Sequence, residues 1–183
     1  MNILVIIPAK MDSTRLPGKN LKEINGKSLV ELSVDYANNS KHAVRIVVSS
    51  EDETVQQLAN TLDVIGHIRP IELCGDTEVV DVYTHVFNEQ KTFPHFRFDL
   101  VIGLQPDNPN RSNTLDECID YMIDNNYDDL ITVNEQYKRS GSVRIFKREY
   151  FERGEFSKRM GCIKDEAVDV HYESDLETVK EKI

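Results

Sequence analysis

The sequence has few cysteines and no long apolar run. Its 183 residues include three cysteines, Cys74, Cys118 and Cys162, which lie far apart. An odd, dispersed set argues against a disulfide framework or a zinc site and favours reduced thiols in a cytoplasmic protein. No apolar run approaches the roughly 18 residues that cross a membrane, and the first run lacks the basic start of a signal peptide. We therefore expect neither membrane association nor secretion.

Positive charge is also scarce. The chain has 22 lysines and arginines against 32 acidic residues, which gives a net charge of −10. Because general nucleic-acid binding needs a basic face, we expect no nucleic-acid partner. The segment 10–27 departs from this balance, since five basic and two acidic residues give it a local charge of +3. Such a segment favours a phosphate-bearing small ligand, with a solvated basic surface as the alternative.

The order of apolar runs predicts an α/β fold. Residues 3–7 form an unbroken branched apolar run, which is typical of a strand buried on both faces. Similar runs at 44–48, 99–104 and 129–133 alternate with segments of helical periodicity. This order predicts one domain over 1–183, a three-layer, mostly parallel sheet with helices on both faces.

Several polar residues are candidates to begin the predicted helices. Asp52 precedes the second helical segment, and Asp76 or Thr77 precedes the third. Ser112 or Asn113 precedes the fourth. Side chains of these types accept hydrogen bonds from the first free amides of a helix.

The loop after the first strand is the strongest candidate for a ligand site. Open α/β sheets bind ligands at the carboxyl ends of their strands. Pro8 ends the first run, and Pro17-Gly18 marks a turn. The loop is not a Walker loop, because Gly18-Lys19 is followed by Asn20 where that motif requires serine or threonine.

The motif Pro8-Ala9-Lys10-x-x-Ser13-x-x-x-Pro17-Gly18-Lys19-Asn20 resembles the opening of the cytidylyltransferases that activate acidic sugars. Its two ends are similar to the acylneuraminate (CMP-sialic acid synthetase) type, and its middle is closer to the KDO type. The resemblance extends over nearly the whole chain and implies a Rossmann-like nucleotidyltransferase fold. It also implies a reaction in which an anionic oxygen of an acidic sugar attacks the α-phosphate of CTP and pyrophosphate leaves.

The resemblance assigns the nucleotide to seven residues: Ala9, Lys10, Ser13, Lys19, Asn20, Arg69 and Gln105. Lys10 and Lys19 would hold the triphosphate and act in catalysis. Asn20 would orient the nucleotide, and the arginine and glutamine would contact its base or ribose. The family has arginine at the position of Lys10, and lysine keeps the charge but loses the planar bidentate grip.

The resemblance also implies a magnesium site. Asp107 falls on a KDO-type metal aspartate, and a carboxylate at a strand end facing a cationic loop suits a hard cation. A simple turn aspartate is the alternative. The tail motif adds Asp169 and puts His171 at a second metal position. Because Mg²⁺ prefers oxygen, three options stay open: the aspartates suffice, metal use has changed, or activity is lost.

Two departures from the family motifs keep other functions open. Residues 78–80, Glu-Val-Val, stand where the sialic acid enzymes have small and hydroxylated residues beside the cytosine. The family's long insertion, with its dimerisation arm and part of the acceptor site, is reduced here near 134–141. The alternatives are a degenerate, non-catalytic nucleotide- or partner-binding domain and a nucleotidyltransferase with another base or acceptor. The oligomeric state stays open, with a homodimer among the options.

Overall fold

The computed structural model describes residues 1–93, 97–154 and 157–183. Its elements in chain order are β1 (Asn2–Pro8), β2 (Glu23–Ile24), β3 (Lys27–Ser28), α1 (Leu29–Asn38), β4 (Ala43–Ser50), α2 (Glu53–Thr61), β5 (Ile65–Ile68), α3 (Val79–Gln90), β6 (Leu100–Leu104), α4 (Leu115–Asp124), β7 (Asp129–Val133), β8 (Arg139–Lys147), α5 (Arg148–Arg153), β9 (Met160–Lys164) and α6 (Glu173–Lys180). Short 3₁₀ helices cover Lys19–Leu21 and Ile71–Leu73. Within the described ranges, every helix is too short or too polar to cross a membrane.

Seven strands form one sheet in the order β5-β4-β1-β6-β8-β7-β9. β8 runs antiparallel to β6 and β7, and the other neighbouring pairs are parallel. The predicted mostly parallel sheet is therefore confirmed. The chain leaves β1 towards β4 and β5 on one side and returns to place β6 on the other. The carboxyl ends of β1 and β6 thus flank a topological switch point, the usual place for a ligand crevice.

The two faces of the sheet are both covered, which confirms the three layers. In β1, Ile3, Val5 and Ile7 pack with apolar side chains of α1, α2 and α4. Leu4 and Ile6 pack on the opposite face against α3. All five side chains are fully buried, and burying each one contributes roughly 1.5–3 kcal/mol of hydrophobic free energy.

The predicted start of α2 is confirmed, whereas that of α3 is wrong. Asp52 Oδ1 accepts a 2.8 Å hydrogen bond from the amide of Thr54. The N-cap of α3 is Glu78, and its side chain makes no capping hydrogen bond. Thr77 lies before this N-cap, and its hydroxyl donates to carbonyls of the preceding turn, including that of Cys74.

The predicted start of α4 is also wrong. Thr114 caps this helix, and Glu117 completes a capping box by accepting a 2.7 Å hydrogen bond from the amide of Thr114. Ser112 and Asn113 have other partners, at the last residue of β9 and the residue after it. The hydroxyl of Ser112 donates to Asp165, and the amide of Asn113 donates to the carbonyl of residue 164.

A tight turn joins β7 to β8. The amide of Asn134 donates to the carbonyl of Lys138 at 2.8 Å, and the Asn134 side chain accepts from the amides of Gln136 and Lys138 at 3.0 Å. Tyr137 takes a positive φ of 58° to close the turn. Residues 134–141 are therefore a hairpin turn followed by the start of β8.

Candidate active site

A pocket of about 140 Å³ lies at the switch point between β1 and β6. The loop after β1, the segment after β5 and the segment after β6 form its walls. Six residues assigned from the sequence line this pocket together: Lys10, Lys19, Asn20, Arg69, Gln105 and Asp107. Residues more than 80 positions apart in the chain therefore meet at one edge of the sheet.

The backbone of the first loop turns sharply at Gly18. This residue has a φ of 65°, a left-handed conformation that glycine adopts without steric cost. The next residues form a 3₁₀ helix, in which the amide of Leu21 donates to the carbonyl of Gly18 at 2.9 Å. The turn directs Lys19 inwards, so that its side chain is only 10% exposed.

Lys19 and Asp107 form an ion pair in the floor of the pocket. The Lys19 Nζ lies 2.5 Å from Asp107 Oδ2 and donates a second hydrogen bond of 3.3 Å to the carbonyl of Val170. An ammonium group has three donors, so one remains beyond these two contacts. The other oxygen of Asp107, Oδ1, is buried and has no hydrogen-bond partner among the described residues.

Asp169 and His171 lie beside this pair, so the three residues assigned to a metal come together. His171 Nε2 is 2.9 Å from Asp169 Oδ2. Desolvation raises the pKa of Asp169, and the negative charge of Asp107 raises it further, while His171 and Lys19 act in the opposite direction. Two carboxylates that repel each other, one with an orphaned oxygen, are a donor set for a hard divalent cation.

Lys10 and Asn20 are linked across the pocket. The Asn20 amide donates a 2.7 Å hydrogen bond to the carbonyl of Lys10, and its Oδ1 is buried without a partner in the described chain. The Lys10 Nζ donates to the carbonyl of Gly75 at 3.2 Å and lies 3.5 Å from Asp12 Oδ1. Lys10 is half-exposed, so its ammonium group is accessible to a ligand.

Arg69 is held by the end of β4. Its Nη2 donates to the carbonyl of Ser49 at 2.7 Å, and its Nε donates to the hydroxyl of the same residue at 3.4 Å. Burial lowers the pKa of Arg69, although an arginine keeps its charge at neutral pH. The sequence analysis did not assign this role to Ser49. The position of Ser49 at the end of a strand is the feature that could have indicated the role.

Two of the residues assigned to the nucleotide, Ala9 and Ser13, do not line the pocket. Ala9 is fully buried, and its amide already donates to the carbonyl of Ser49 at 2.9 Å. Ser13 Oγ accepts a long 3.4 Å hydrogen bond from the amide of Leu16 within the loop. Both residues shape the loop in this structure and leave the pocket to their neighbours.

A second cavity of about 690 Å³ adjoins the first and shares Val79 and Gln105 with it. Sequence reasoning missed its two arginines, Arg139 and Arg144, which β8 contributes. Arg144 Nη2 pairs with Asp129 Oδ2, while Arg144 Nε and Asp129 Oδ1 are buried without hydrogen-bond partners among the described residues. Burial raises the pKa of Asp129, and the neighbouring guanidinium opposes that rise. The cavity therefore offers cationic and polar atoms for a second ligand.

Comparison with known sequences identifies relatives of the chain. The cytidylyltransferase family model matches residues 4–169. The 3-deoxy-manno-octulosonate cytidylyltransferase of Vesicomyosocius okutanii is 27% identical over 160 residues, which are 81% of this chain and 64% of that protein. The CMP-N,N'-diacetyllegionaminic acid synthase of Legionella pneumophila is 33% identical over 117 residues, which are 61% of this chain and 48% of that protein. The chain therefore spans less than two thirds of the length of these relatives.

Solved structures share the fold. The structure of CMP:2-keto-3-deoxy-manno-octonic acid synthetase complexed with CTP matches with a TM-score of 0.73 at 15% identity, over 99% of this chain and 98% of that chain. A cytidylyltransferase from Leptospira borgpetersenii matches with a TM-score of 0.72 at 19% identity, over 97% and 84%. At these identities the likeness establishes the architecture alone.

Proposed function

The chain belongs to the cytidylyltransferase family, and from this premise we propose that it transfers CMP from CTP to an acidic sugar. The observation that carries the proposal is the buried Lys19–Asp107 pair in a pocket at the switch point of the sheet. This pair puts a cation and a partly unsatisfied carboxylate where a triphosphate and its counterion would meet. The full activity would need the nucleotide and the acceptor to occupy the two adjoining cavities together.

The reaction would be an in-line substitution at the α-phosphorus of CTP. An oxygen of the sugar forms a bond to this phosphorus, its proton passes to solvent, and the bond to the bridging oxygen of the β-phosphate breaks. Pyrophosphate leaves with the electron pair of that bond. Lys19 would direct its remaining N–H at the phosphates, and the half-exposed Lys10 would add a second cation. Catalysis would come mainly from positioning and from charge stabilisation.

Asp107 and Asp169 would hold a divalent cation, which we propose is Mg²⁺. The orphaned Oδ1 of Asp107 and the mutual repulsion of the two carboxylates support this donor set. When bound, the cation would offset negative charge on the phosphates. His171 is a poor magnesium ligand because its donor is nitrogen, and here its ring contacts Asp169.

Asn20, Arg69 and Gln105 would orient the nucleoside. The buried Oδ1 of Asn20 is an acceptor that needs a donor, such as a ribose hydroxyl or the exocyclic amine of cytosine. Arg69 is fixed by Ser49, so its guanidinium is already oriented before a ligand binds. Preorganised polar groups of this kind lower the cost of ordering a bound ligand.

The 690 Å³ cavity would hold the acidic sugar. Arg144 and Arg139 can pair with the sugar carboxylate, since a guanidinium matches a carboxylate with two parallel hydrogen bonds. Arg144→Lys should raise the KM for the sugar about tenfold, because lysine keeps the charge but not the planar fork. The KM for CTP should not change. An unchanged KM for the sugar would remove Arg144 from the acceptor site.

A nucleotide panel tests the proposal directly. Thermal unfolding is measured with CTP, UTP, ATP and GTP, each with and without Mg²⁺, and pyrophosphate release is then measured with several acidic sugars. CTP with Mg²⁺ at a hundredfold excess over Kd should add about 2.7 kcal/mol of stability. Pyrophosphate should appear only when CTP and an acidic sugar are both present. No shift with any nucleotide would overturn the proposal.

A non-catalytic nucleotide-binding domain is the second candidate. Two observations favour it: lysine replaces the family's arginine at Lys10, and His171 replaces a carboxylate and pairs with Asp169. Each change weakens a contact that catalysis would need more than binding would. A thermal shift with CTP, combined with no pyrophosphate release on any acidic sugar, would establish this second function.

A further inference from the structure

Two histidines and a glutamate cluster away from the proposed active site. His67 lies in the edge strand β5, while His85 and Glu89 lie one turn apart on α3. One ligand atom from each of the three residues falls within 4.8 Å of the others. We propose that these side chains form a binding site for Zn²⁺ or a similar borderline divalent cation.

The donor set has the chemistry and the spacing that zinc requires. Two imidazole nitrogens and one carboxylate are a common three-ligand set for this ion, with water in the fourth position. His67 Nε2 lies 3.4 Å from one oxygen of Glu89, and His85 Nε2 lies 3.3 Å from the other. A tetrahedron with metal–ligand bonds near 2.05 Å has edges of about 3.3 Å. The two histidines approach different oxygens of Glu89, so one oxygen has to rotate to complete such a site.

The polar atoms of the cluster lack other partners. Nε2 of His67 and Nε2 of His85 are both buried and make no hydrogen bond with the described residues. The His67 side chain is only 5% exposed, so water does not readily replace the missing partner. A cation placed between the two ring nitrogens and the carboxylate would give all three groups a partner. Glu89 is half-exposed and can rotate one oxygen onto the ion.

A second residue already orients the buried histidine. His67 Nδ1 lies 3.0 Å from the hydroxyl of Ser49, and the backbone carbonyl of His67 accepts a 2.8 Å hydrogen bond from Gln56. A metal-bound histidine usually donates its other ring nitrogen to such a partner, which fixes the tautomer.

The site connects the sheet edge to the pocket. A bound ion would fasten α3 to β5, and α3 contributes Val79 and Val82 to the pocket wall. Ser49, which contacts His67, also holds Arg69 through its carbonyl. Zinc would therefore stabilise the wall of the nucleotide pocket without touching the nucleotide.

Metal titration of the whole chain tests this site. Co²⁺ is titrated as a spectroscopic substitute for Zn²⁺, with excess Mg²⁺ present to occupy the aspartates of the nucleotide pocket. We expect one Co²⁺ per chain with the visible absorption of a four-coordinate ion, displaced by Zn²⁺. Zn²⁺ should also raise the unfolding temperature in a way that a chelator reverses.

Variants assign the ion to these residues. His85→Gln and Glu89→Gln change partly exposed side chains, so they should fold. Each removes a direct ligand and should weaken Co²⁺ binding by at least about 100-fold, the upper end of the effect of losing a residue that only supports a ligand. Ser49→Ala should weaken it by about 10-fold. His42→Gln, a histidine outside the cluster, should bind Co²⁺ as the wild type does. Full Co²⁺ affinity in both Glu89→Gln and His85→Gln, or no Co²⁺ absorption in the wild type, would overturn the site.

Discussion

The buried Asp128 and the partly buried Asp107 lie at opposite edges of the sheet and differ in how many hydrogen bonds their carboxylates accept. Asp128 precedes β7 at the amino edge, and four donor atoms from Lys147, Arg159 and Ser157 contact its two oxygens at 2.8–2.9 Å. Asp107 follows β6 at the carboxyl edge, and within the described part of the chain its side chain has a single lysine partner and one buried oxygen without a partner. The first carboxylate has partners for both oxygens, whereas the second has one oxygen available to a ligand.

This difference in hydrogen bonding indicates that one aspartate contributes to stability and the other to function. A saturated buried carboxylate holds segments of the chain together and gains nothing from an added ion. A buried carboxylate oxygen without a hydrogen-bond partner reduces the stability of the ligand-free protein. Proteins keep such a group at functional sites, where a bound ligand supplies the missing partner. We therefore expect substitutions at the carboxyl edge to change activity and substitutions at the amino edge to change the free energy of unfolding.

Lys19→Ala should have the largest effect on activity. The change removes the buried cation that faces Asp107, so pyrophosphate release should fall by about 10²–10³-fold, as for the loss of a charge-stabilising donor. The fold should persist, which circular dichroism checks. Lys27→Ala, an exposed lysine paired with Asp35, is the matched control and should keep full activity. Retained turnover in Lys19→Ala would remove this residue from the mechanism.

Asp107→Asn should weaken the dependence on Mg²⁺. The neutral amide keeps the shape of the side chain but is a much weaker ligand, so the Mg²⁺ concentration for half-maximal activity should rise about 10–100-fold. The unfolding temperature without metal should fall, because the amide weakens the ion pair of Asp107 Oδ2 with Lys19, but less than in Asp128→Asn, which loses contacts with four donor atoms. If the magnesium titration of the variant overlays that of the wild type, Asp107 is not a metal ligand.

Asp128→Asn should show the reverse pattern. Losing charge-assisted hydrogen bonds should reduce the free energy of unfolding by about 2 kcal/mol, measured by urea denaturation. Pyrophosphate release per folded molecule should stay at the wild-type level. Asp120→Asn, which breaks an exposed pair with Lys41, should cost less than about 1 kcal/mol. A loss of activity without a loss of stability in Asp128→Asn would break the comparison.

The contribution of Asp128 should depend on pH. Burial alone would raise the pKa of its carboxyl, but hydrogen bonds from Lys147, Arg159 and Ser157 bring it below the usual 3.8. Since the unfolded chain takes up the proton first, the stabilisation is complete at neutral pH and is lost as the pH falls below about 4. The stability difference between wild type and Asp128→Asn should therefore shrink over that range. A constant difference from pH 7 to pH 3 would contradict the assignment.

His171→Asp should have the smallest effect of these substitutions. It extends the comparison of the two sheet edges by adding a carboxylate at the carboxyl edge. A third carboxylate beside Asp107 and Asp169 adds an oxygen ligand, so the affinity for Mg²⁺ should rise roughly three- to tenfold. Without the metal, the extra negative charge should slightly lower the unfolding temperature. Isothermal titration with Mg²⁺ measures the change, and a weaker affinity would show that the histidine itself supports the site.

The sequence predicted the sheet well because its signals are local. The branched apolar runs correctly located β1, β4, β6 and β7, since short runs rich in β-branched residues are typical of strands buried on both faces. The start of α4 was predicted wrongly, although the capping pair Thr114 and Glu117 has the spacing of a known motif. Ser112 and Asn113 have equally good capping side chains, and only the distant segment 164–165 determines that they bind elsewhere.

The candidate site was predictable only in part. The residues from motifs at 8–20, 69 and 105–107 do meet in one pocket. The contacts that orient them come from groups without a sequence signature, such as the carbonyls of Gly75 and Ser49. The sequence analysis did not identify the arginines of the second cavity. The antiparallel register of β8 with β6 and β7 determines which residues lie beside these arginines, and no sequence motif indicates that register.

The ion pair between Lys19 and Asp107 also links the binding of the two ligands proposed here. A phosphate that attracts the ammonium group frees the carboxylate for a cation, and a cation that attracts the carboxylate frees the ammonium group for a phosphate. The two binding events therefore share one coupling free energy. If the cation raises the affinity for the nucleotide by a given factor, the nucleotide raises the affinity for the cation by the same factor.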